Sequence, residues 1–298
     1  MSESNPIRNV SDTALWVAIY RAMESERPDA LFRDPYARRL GGERGEAIVK
    51  AMPKGRSMAW PLVVRTAVMD EIVLRCVQAG AKTVLNLAAG LDARPYRLDL
   101  PRDLHWLHVD MPEMVAYFRS HMSGATPRCE IDFLAADLRD ADARRAVLAR
   151  AARNGPTLVI TEGLLIYLES DDVAGLARDL HDVAQARWWT ADLATPALLR
   201  YVAKDWGRTV QQGNAPFRFA PREGTAFFAP FGWREAEFHS TWDEAWRLDR
   251  KPARAWLWRA LSWVMPRRKV EAARRMSSIV LLQSDDTPTS SNRPEHRA

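Results

Sequence analysis

The stretch Thr83-Val84-Leu85-Asn86-Leu87-Ala88-Ala89-Gly90-Leu91-Asp92 decides how this chain folds. A mostly apolar, partly β-branched run from Thr83 to Leu87 gives way abruptly to small side chains. Such a run reads as a buried strand entering a tight turn. Ala88, Ala89 and Gly90 leave the backbone nearly bare, so a ligand can come close to N–H groups that bulkier residues would screen. In open α/β sheets ligands sit outside the carboxyl ends of the strands, where such turns lie.

Working outward, His105-Trp106-Leu107-His108-Val109-Asp110 reads as a second strand ending in a carboxylate, twenty residues after Gly90. Nucleotide-binding α/β units place an acid at about this distance, because one carboxylate can accept both hydrogen bonds of a ribose diol. Ile131-Asp132-Phe133-Leu134-Ala135-Ala136-Asp137-Leu138 offers a third strand end, where Asp137 can accept from an exocyclic amine while Leu138 packs on a flat base. The alternative is that Asp137 caps a helix opening near Asp140. Thr157-Leu158-Val159-Ile160-Thr161-Glu162-Gly163 is a fourth strand, again closed by an acid. Taken together, the acids favour a nucleoside ligand. The missing G-x-G-x-x-G fingerprint argues against a nicotinamide enzyme.

Helices are expected at residues 14–23, behind Ser11-Asp12-Thr13, and after Asp34 and Pro35, with a break at Gly41-Gly42. Further helices are expected at 62–78, 112–121, 140–153 and 170–186, and further strands at 187–193, 235–241 and 277–283. The organisation expected is a helical N-terminal cap over 1–80 that closes over the strand ends. An α/β core follows over 81–283, with a substrate-side insertion at 195–230, and then a disordered tail over 284–298.

With 298 residues, 47% of them hydrophobic and 27% charged, the chain is long enough for a large buried core. The net charge of +5 is spread along the chain beside Asp and Glu, which reads as a mixed solvated surface. Cys76 and Cys129 each sit in an apolar segment without metal-ligand spacing, as buried thiols of a reducing cytoplasm do. No leader-like apolar core opens the chain, and no apolar run reaches the ~20 residues of a membrane span. A cytoplasmic location without a metal site is therefore expected.

The segment Asn86-Leu87-Ala88-Ala89-Gly90-Leu91-Asp92-Ala93-Arg94-Pro95-Tyr96-Arg97 resembles the "NLGAGLDTRPYR"-type signature of the leucine carboxyl methyltransferase-like family. Four further blocks agree in order and spacing: Phe32-Arg33-Asp34-Pro35-Tyr36-Ala37, Val109-Asp110-Met111-Pro112-Glu113, Ala136-Asp137-Leu138 and Thr161-Glu162-Gly163-Leu164-Leu165-Ile166-Tyr167-Leu168. The likeness weakens beyond Leu193. It implies a class I methyltransferase fold: an α/β, Rossmann-like, seven-stranded, mostly parallel sheet under a helical N-terminal cap. It implies S-adenosyl-L-methionine as cofactor, with Gly90 near its methionine part, Asp110 on the ribose, and Asp137 and Leu138 flanking the adenine. Arg65 would pair with the cofactor carboxylate, Arg21 would match a basic cofactor contact, and Glu162 would lie near the sulfonium. Read without the resemblance, Arg65 is equally an ion-pair partner, Glu162 a satisfied strand-end acid, and Tyr167 a packing residue.

The reaction expected is O-methylation of a carboxylate or hydroxyl on a small, hydrophobic acceptor, polyketide-like or a carboxylic acid. A carboxylate is ionised at neutral pH and needs no base, whereas a phenol or alcohol does. None of His105, His108, His121, His181, His239 and His296 sits in a motif that marks a base, so no catalytic residue is named. Phe217, Phe219, Phe227, Phe228 and Phe231 suit an apolar acceptor site or an ordinary core. Residues 247–275 interleave Trp256, Trp258 and Trp263 with Arg and Lys, which suits either a membrane surface or a helix packed on the sheet edge. With no base-methylation motif and no basic stripe interleaved with aromatics, a nucleic-acid partner is not expected.

Overall fold

The runs 83–87 and 157–161 are buried at every position, and they lie side by side at the centre of the sheet. The computed structural model describes residues 10–52, 58–201, 217–252, 255–257, 263 and 265–285. Its elements, in chain order, are α1 (Val10–Ser25), α2 (Ala37–Ala51), α3 (Trp60–Gln78), β1 (Thr83–Leu87), α4 (Arg94–Arg97), β2 (His105–Asp110), α5 (Pro112–His121) and β3 (Glu130–Ala135). These are followed by α6 (Ala141–Ala151), β4 (Thr157–Thr161), α7 (Ser170–Asp182), β5 (Trp188–Ala194), β6 (Trp233–Ser240), α8 (Thr241–Arg247), α9 (Arg267–Arg274) and β7 (Ser277–Ser284). The seven strands are ordered β3-β2-β1-β4-β5-β7-β6. β1 to β5 run parallel, and β7 pairs antiparallel with both β5 and β6. Strand order reverses between β1 and β4, and in such sheets the crevice for a ligand opens at that point.

Alternation along the strands feeds two cores. Leu85, Leu87, Leu107, Val109, Val159 and Trp189 face α6 and α7. Val84, Trp106, Leu158, Ile160 and Ile279 face α3. α3 is therefore one of the helical layers on the sheet, and the N-terminal segment divides between that layer and the pair α1 and α2.

Five expectations change. α1 begins at Val10, ahead of Ser11-Asp12-Thr13, so these residues lie in its first turn. Asp12 holds Arg44 of α2 at 2.5 Å. α2 continues through Gly41 and Gly42, with a kink at Gly42 (φ 57°). A Cβ on Gly41 would stand 2.5 Å from Ile19 Cδ1, and one on Gly45 would stand 2.7 Å from the Leu15 carbonyl oxygen. These glycines are thus a docking face for α1. β3 ends at Ala135, two residues before Asp137, and α7 ends at Asp182. β7 extends through Ser284, which takes that residue out of the tail. Asp285 follows it, its N–H donating to the Gly232 carbonyl at 3.0 Å, while tail residues 286–298, the polar turn at 211–214, and Trp258 lie outside the described residues.

Candidate active site

The turn after β1 is shaped by two residues in the left-handed region, Ala88 (φ 51°) and Gly90 (φ 53°). Such a backbone suits glycine and strains alanine. Gly90 is tight for a second reason, since a Cβ there would lie 3.3 Å from Ala14 Cβ of α1. The Gly90 N–H donates to Asp110 Oδ2 at 2.6 Å, and the Met111 N–H donates to Oδ1 at 2.7 Å. Asp110 is thereby fixed between the turns after β1 and β2, with a lone pair on each oxygen still open. Burial raises its pKa, and the two N–H groups oppose that rise.

Asp137 and Leu138 lie on the loop after β3. Asp137 accepts from the Arg139 N–H (3.0 Å) and holds the Arg139 guanidinium at 2.6 Å, which keeps its carboxyl below the usual range. The cap of α6 is Asp140, which accepts from the N–H groups of Asp142 and Ala143.

Arg65 and Glu162 meet directly. Arg65 Nε donates to Glu162 Oε1 at 3.0 Å, and its Nη1 donates to Asp192 Oδ2 at 3.1 Å. The other oxygen of Asp192 accepts the Gly163 N–H at 2.6 Å. Glu162 Oε2 accepts from Arg94 Nη1 at 2.7 Å, and the same nitrogen reaches Asp92 Oδ2 at 2.7 Å. Arg94 Nε donates to Asp70 Oδ1, Arg97 holds both oxygens of Asp70, and Asp34 joins Arg97 to Arg21. Arg21 also donates to the Leu91 carbonyl at 2.6 Å, which ties α1 to the first turn. Burial alone would raise the Glu162 pKa, but Arg94 and Arg65 pull it well below the usual carboxylate range. This continuous network holds four guanidiniums (Arg21, Arg65, Arg94, Arg97) against five carboxylates (Asp34, Asp70, Asp92, Glu162, Asp192). It carries one formal negative charge in excess.

All six residues singled out for the cofactor (Arg65, Gly90, Asp110, Asp137, Leu138 and Glu162) line one cleft of about 1700 Å³, together with Arg21. The sequence reading assigned no role to Asp92, Arg94 or Asp192. The signal available for the first two was an acid and an arginine two apart inside the motif itself. Asp192 lies inside β5, two residues before its end, so the strand-end pattern of Asp110 and Glu162 does not mark it.

Part of the cleft lining is apolar. Trp60 and Trp242 meet edge to face with ring centroids 6.3 Å apart, and Trp242 meets Trp246 at the same distance. Leu198, Leu199, Ile166 and Phe217 also line it. Tyr167 stands at the junction, where Thr13 of α1 hydrogen-bonds its phenol and burial pushes its pKa up. Of the five phenylalanines considered for the acceptor, Phe217 lines the cleft, whereas Phe219 and Phe228 are buried in the core beside α7. No histidine occurs among the described lining residues.

Comparison with known proteins follows the same lines. The leucine carboxyl methyltransferase family matches residues 14–181. A provisionally named S-adenosyl-L-methionine-dependent methyltransferase of Saccharopolyspora erythraea is 32% identical over 249 residues, covering 76% of this chain and 84% of that protein. One from Parafrankia sp. is 36% identical over 181 residues, or 57% of this chain, and the chain spans 58% of that relative's length. The crystal structure of a DUF574 family protein from Streptomyces avermitilis superposes with a TM-score of 0.56 at 14% identity, covering 90% of this chain and 96% of that one. A provisionally named methyltransferase from Thermobifida fusca gives 0.52 at 18% identity, covering 84% and 92%. At such identities the likeness is one of fold. The chain belongs to the leucine carboxyl methyltransferase family of enzymes, and its fold is that of the class I S-adenosylmethionine-dependent methyltransferases.

Proposed function

We propose that this chain is an S-adenosylmethionine-dependent O-methyltransferase that acts on a carboxylate or acidic hydroxyl of a small apolar molecule. The observation that carries the reading is the fixed Asp110 carboxylate, which faces the same cleft as a buried network with one excess negative charge. Asp110 keeps two open lone pairs for a ribose diol, and Leu138 offers an apolar surface for a flat base. Excess negative charge in a buried setting favours a cation, which is the charge of a sulfonium. Bound there, S-adenosylmethionine supplies a methyl carbon already activated by its positive leaving group.

The chain then has mainly to orient the acceptor, and good orientation contributes roughly 7–11 kcal/mol in favourable cases. The indoles of Trp60, Trp242 and Trp246 suit an apolar or aromatic body. Arg218 and Arg274 line the outer cleft in exposed ion pairs with Glu169 and Asp243, and such pairs exchange readily for an acceptor carboxylate. A carboxylate acceptor requires no general base, which fits described walls without histidine and a Tyr167 phenol held protonated by burial. Incubation with methyl-labelled cofactor and a panel of carboxylic acids and phenols tests the reading. Label on an oxygen acceptor is expected, and transfer only to nitrogen or carbon would rule it out.

A further inference from the structure

Two stretches that contribute residues to the cleft lining, at Pro252 and at 265–274, also carry or adjoin side chains that methyl transfer does not use. Trp256, Leu257 and Trp263 are 65%, 46% and 86% exposed. The first turn of α9 carries Arg267, Arg268 and Lys269, all exposed and without a carboxylate partner among the described residues. Later in the same helix the pattern changes, with Arg274 paired to Asp243, and Arg275 just beyond it to Glu271. The element also borders the cleft, since Met265, Val270, Ala273 and Arg274 line it. Trp263 stands two residues before the lining residue Met265 and four before the unpaired cations, and Trp256 stands four residues after the lining residue Pro252, so both indoles flank stretches that form the cleft rim.

Large apolar side chains left in water mark a surface that something covers. The chemistry here indicates what covers it. Tryptophan favours the headgroup level of a bilayer, and a cluster of Arg and Lys beside it favours anionic lipid. No helix among the described residues is long and apolar enough to cross a membrane, so contact would be at the surface. We propose that this rim docks on an anionic lipid bilayer and turns the open side of the cleft toward the headgroups. Resting on the function proposed above, the acceptor class narrows to apolar molecules that partition into membranes.

The test is co-sedimentation of the full chain with vesicles of phosphatidylcholine alone or with added phosphatidylglycerol, at low and high salt. Two variants accompany it: the triple Arg267→Gln, Arg268→Gln, Lys269→Gln, and Trp263→Ser. Binding to phosphatidylglycerol vesicles at low salt, weakened by high salt, is expected. Each cation near such a surface multiplies partitioning by roughly five, so the triple variant should lose roughly a hundredfold. Trp263→Ser should lose roughly tenfold. No binding of the parent protein at low salt overturns the proposal, as does binding that neither variant weakens. Self-association that Trp263→Ser abolishes, without vesicle binding, would assign the surface to a second copy and also overturn it. Thermal stabilisation by S-adenosylhomocysteine, measured in the same samples, reports separately on the methyltransferase reading and on folding of the variants.

Discussion

Behind and along one part of the cleft, four guanidiniums and five carboxylates hold one another over three helices, two turns, the end of β4 and the body of β5. Along another part, Trp60, Trp242 and Trp246 meet edge to face, and their contact area rather than any shared ion pair defines the wall. The first region is over-determined. Every charged group but Asp92 is fixed by at least one partner from another part of the chain, so moving one displaces several. The second is permissive, because indole surfaces accept many shapes at similar cost. On the function proposed, a nucleoside cofactor would be held at the rigid polar region and a variable acceptor at the adaptable apolar one.

The largest effect should come from Arg94→Met, which would sharpen the contrast most. The side chain of Arg94 is 2% exposed and joins Asp70, Asp92 and Glu162. Removing the guanidinium leaves three buried carboxylates short of a counterion, and breaking a buried pair costs roughly 3–5 kcal/mol. Thermal or urea unfolding should show that loss, and a change under 1 kcal/mol would mean that the network is not a rigid unit. Next comes Asp110→Ala, for which calorimetry should record a roughly hundredfold weaker S-adenosylhomocysteine affinity, from two lost charge-assisted hydrogen bonds.

A third test uses pH. His108 on β2 is fully buried and stacks on Phe118 with centroids 4.5 Å apart, and the Asp92 carboxylate and the Gly90 backbone only partly offset the cost of charging it there. Burial pushes its pKa down to about 4 from the ordinary 6.5. The unfolded chain therefore binds the proton more readily, so this contribution to stability is complete above pH 6.5 and is lost as pH falls toward 4. The slope should approach about 1.4 kcal/mol per pH unit in that window. His108→Phe should flatten it, and an unchanged slope would remove His108 from the polar region's acid sensitivity. The smallest effect is expected for Trp60→Ala in the apolar region. An acceptor KM raised roughly tenfold, with S-adenosylhomocysteine affinity unchanged, would fit a permissive wall. A matching loss of cofactor affinity would erase the distinction between the two regions.

Much of the fold was legible because its signals are local. β1, β2 and α5 fall where the apolar runs and Pro112 put them. The site residues were legible as strand-end acids, which share a place in the sheet as well as a residue type. What stayed hidden depends on distant partners. Arg65 is 97 residues from Glu162 and 127 from Asp192, and no local pattern announces such pairs. The same holds for Gly41, which reads as a helix breaker until α1 is packed against it.

The most direct measurement is a crystal structure with S-adenosylhomocysteine. The expected result is an adenosyl group in the cleft, with its ribose hydroxyls within hydrogen-bond distance of Asp110 and its base against Leu138. A saturated crystal with the ribose held elsewhere, or with no ligand in the cleft, would contradict the site assigned to this chain.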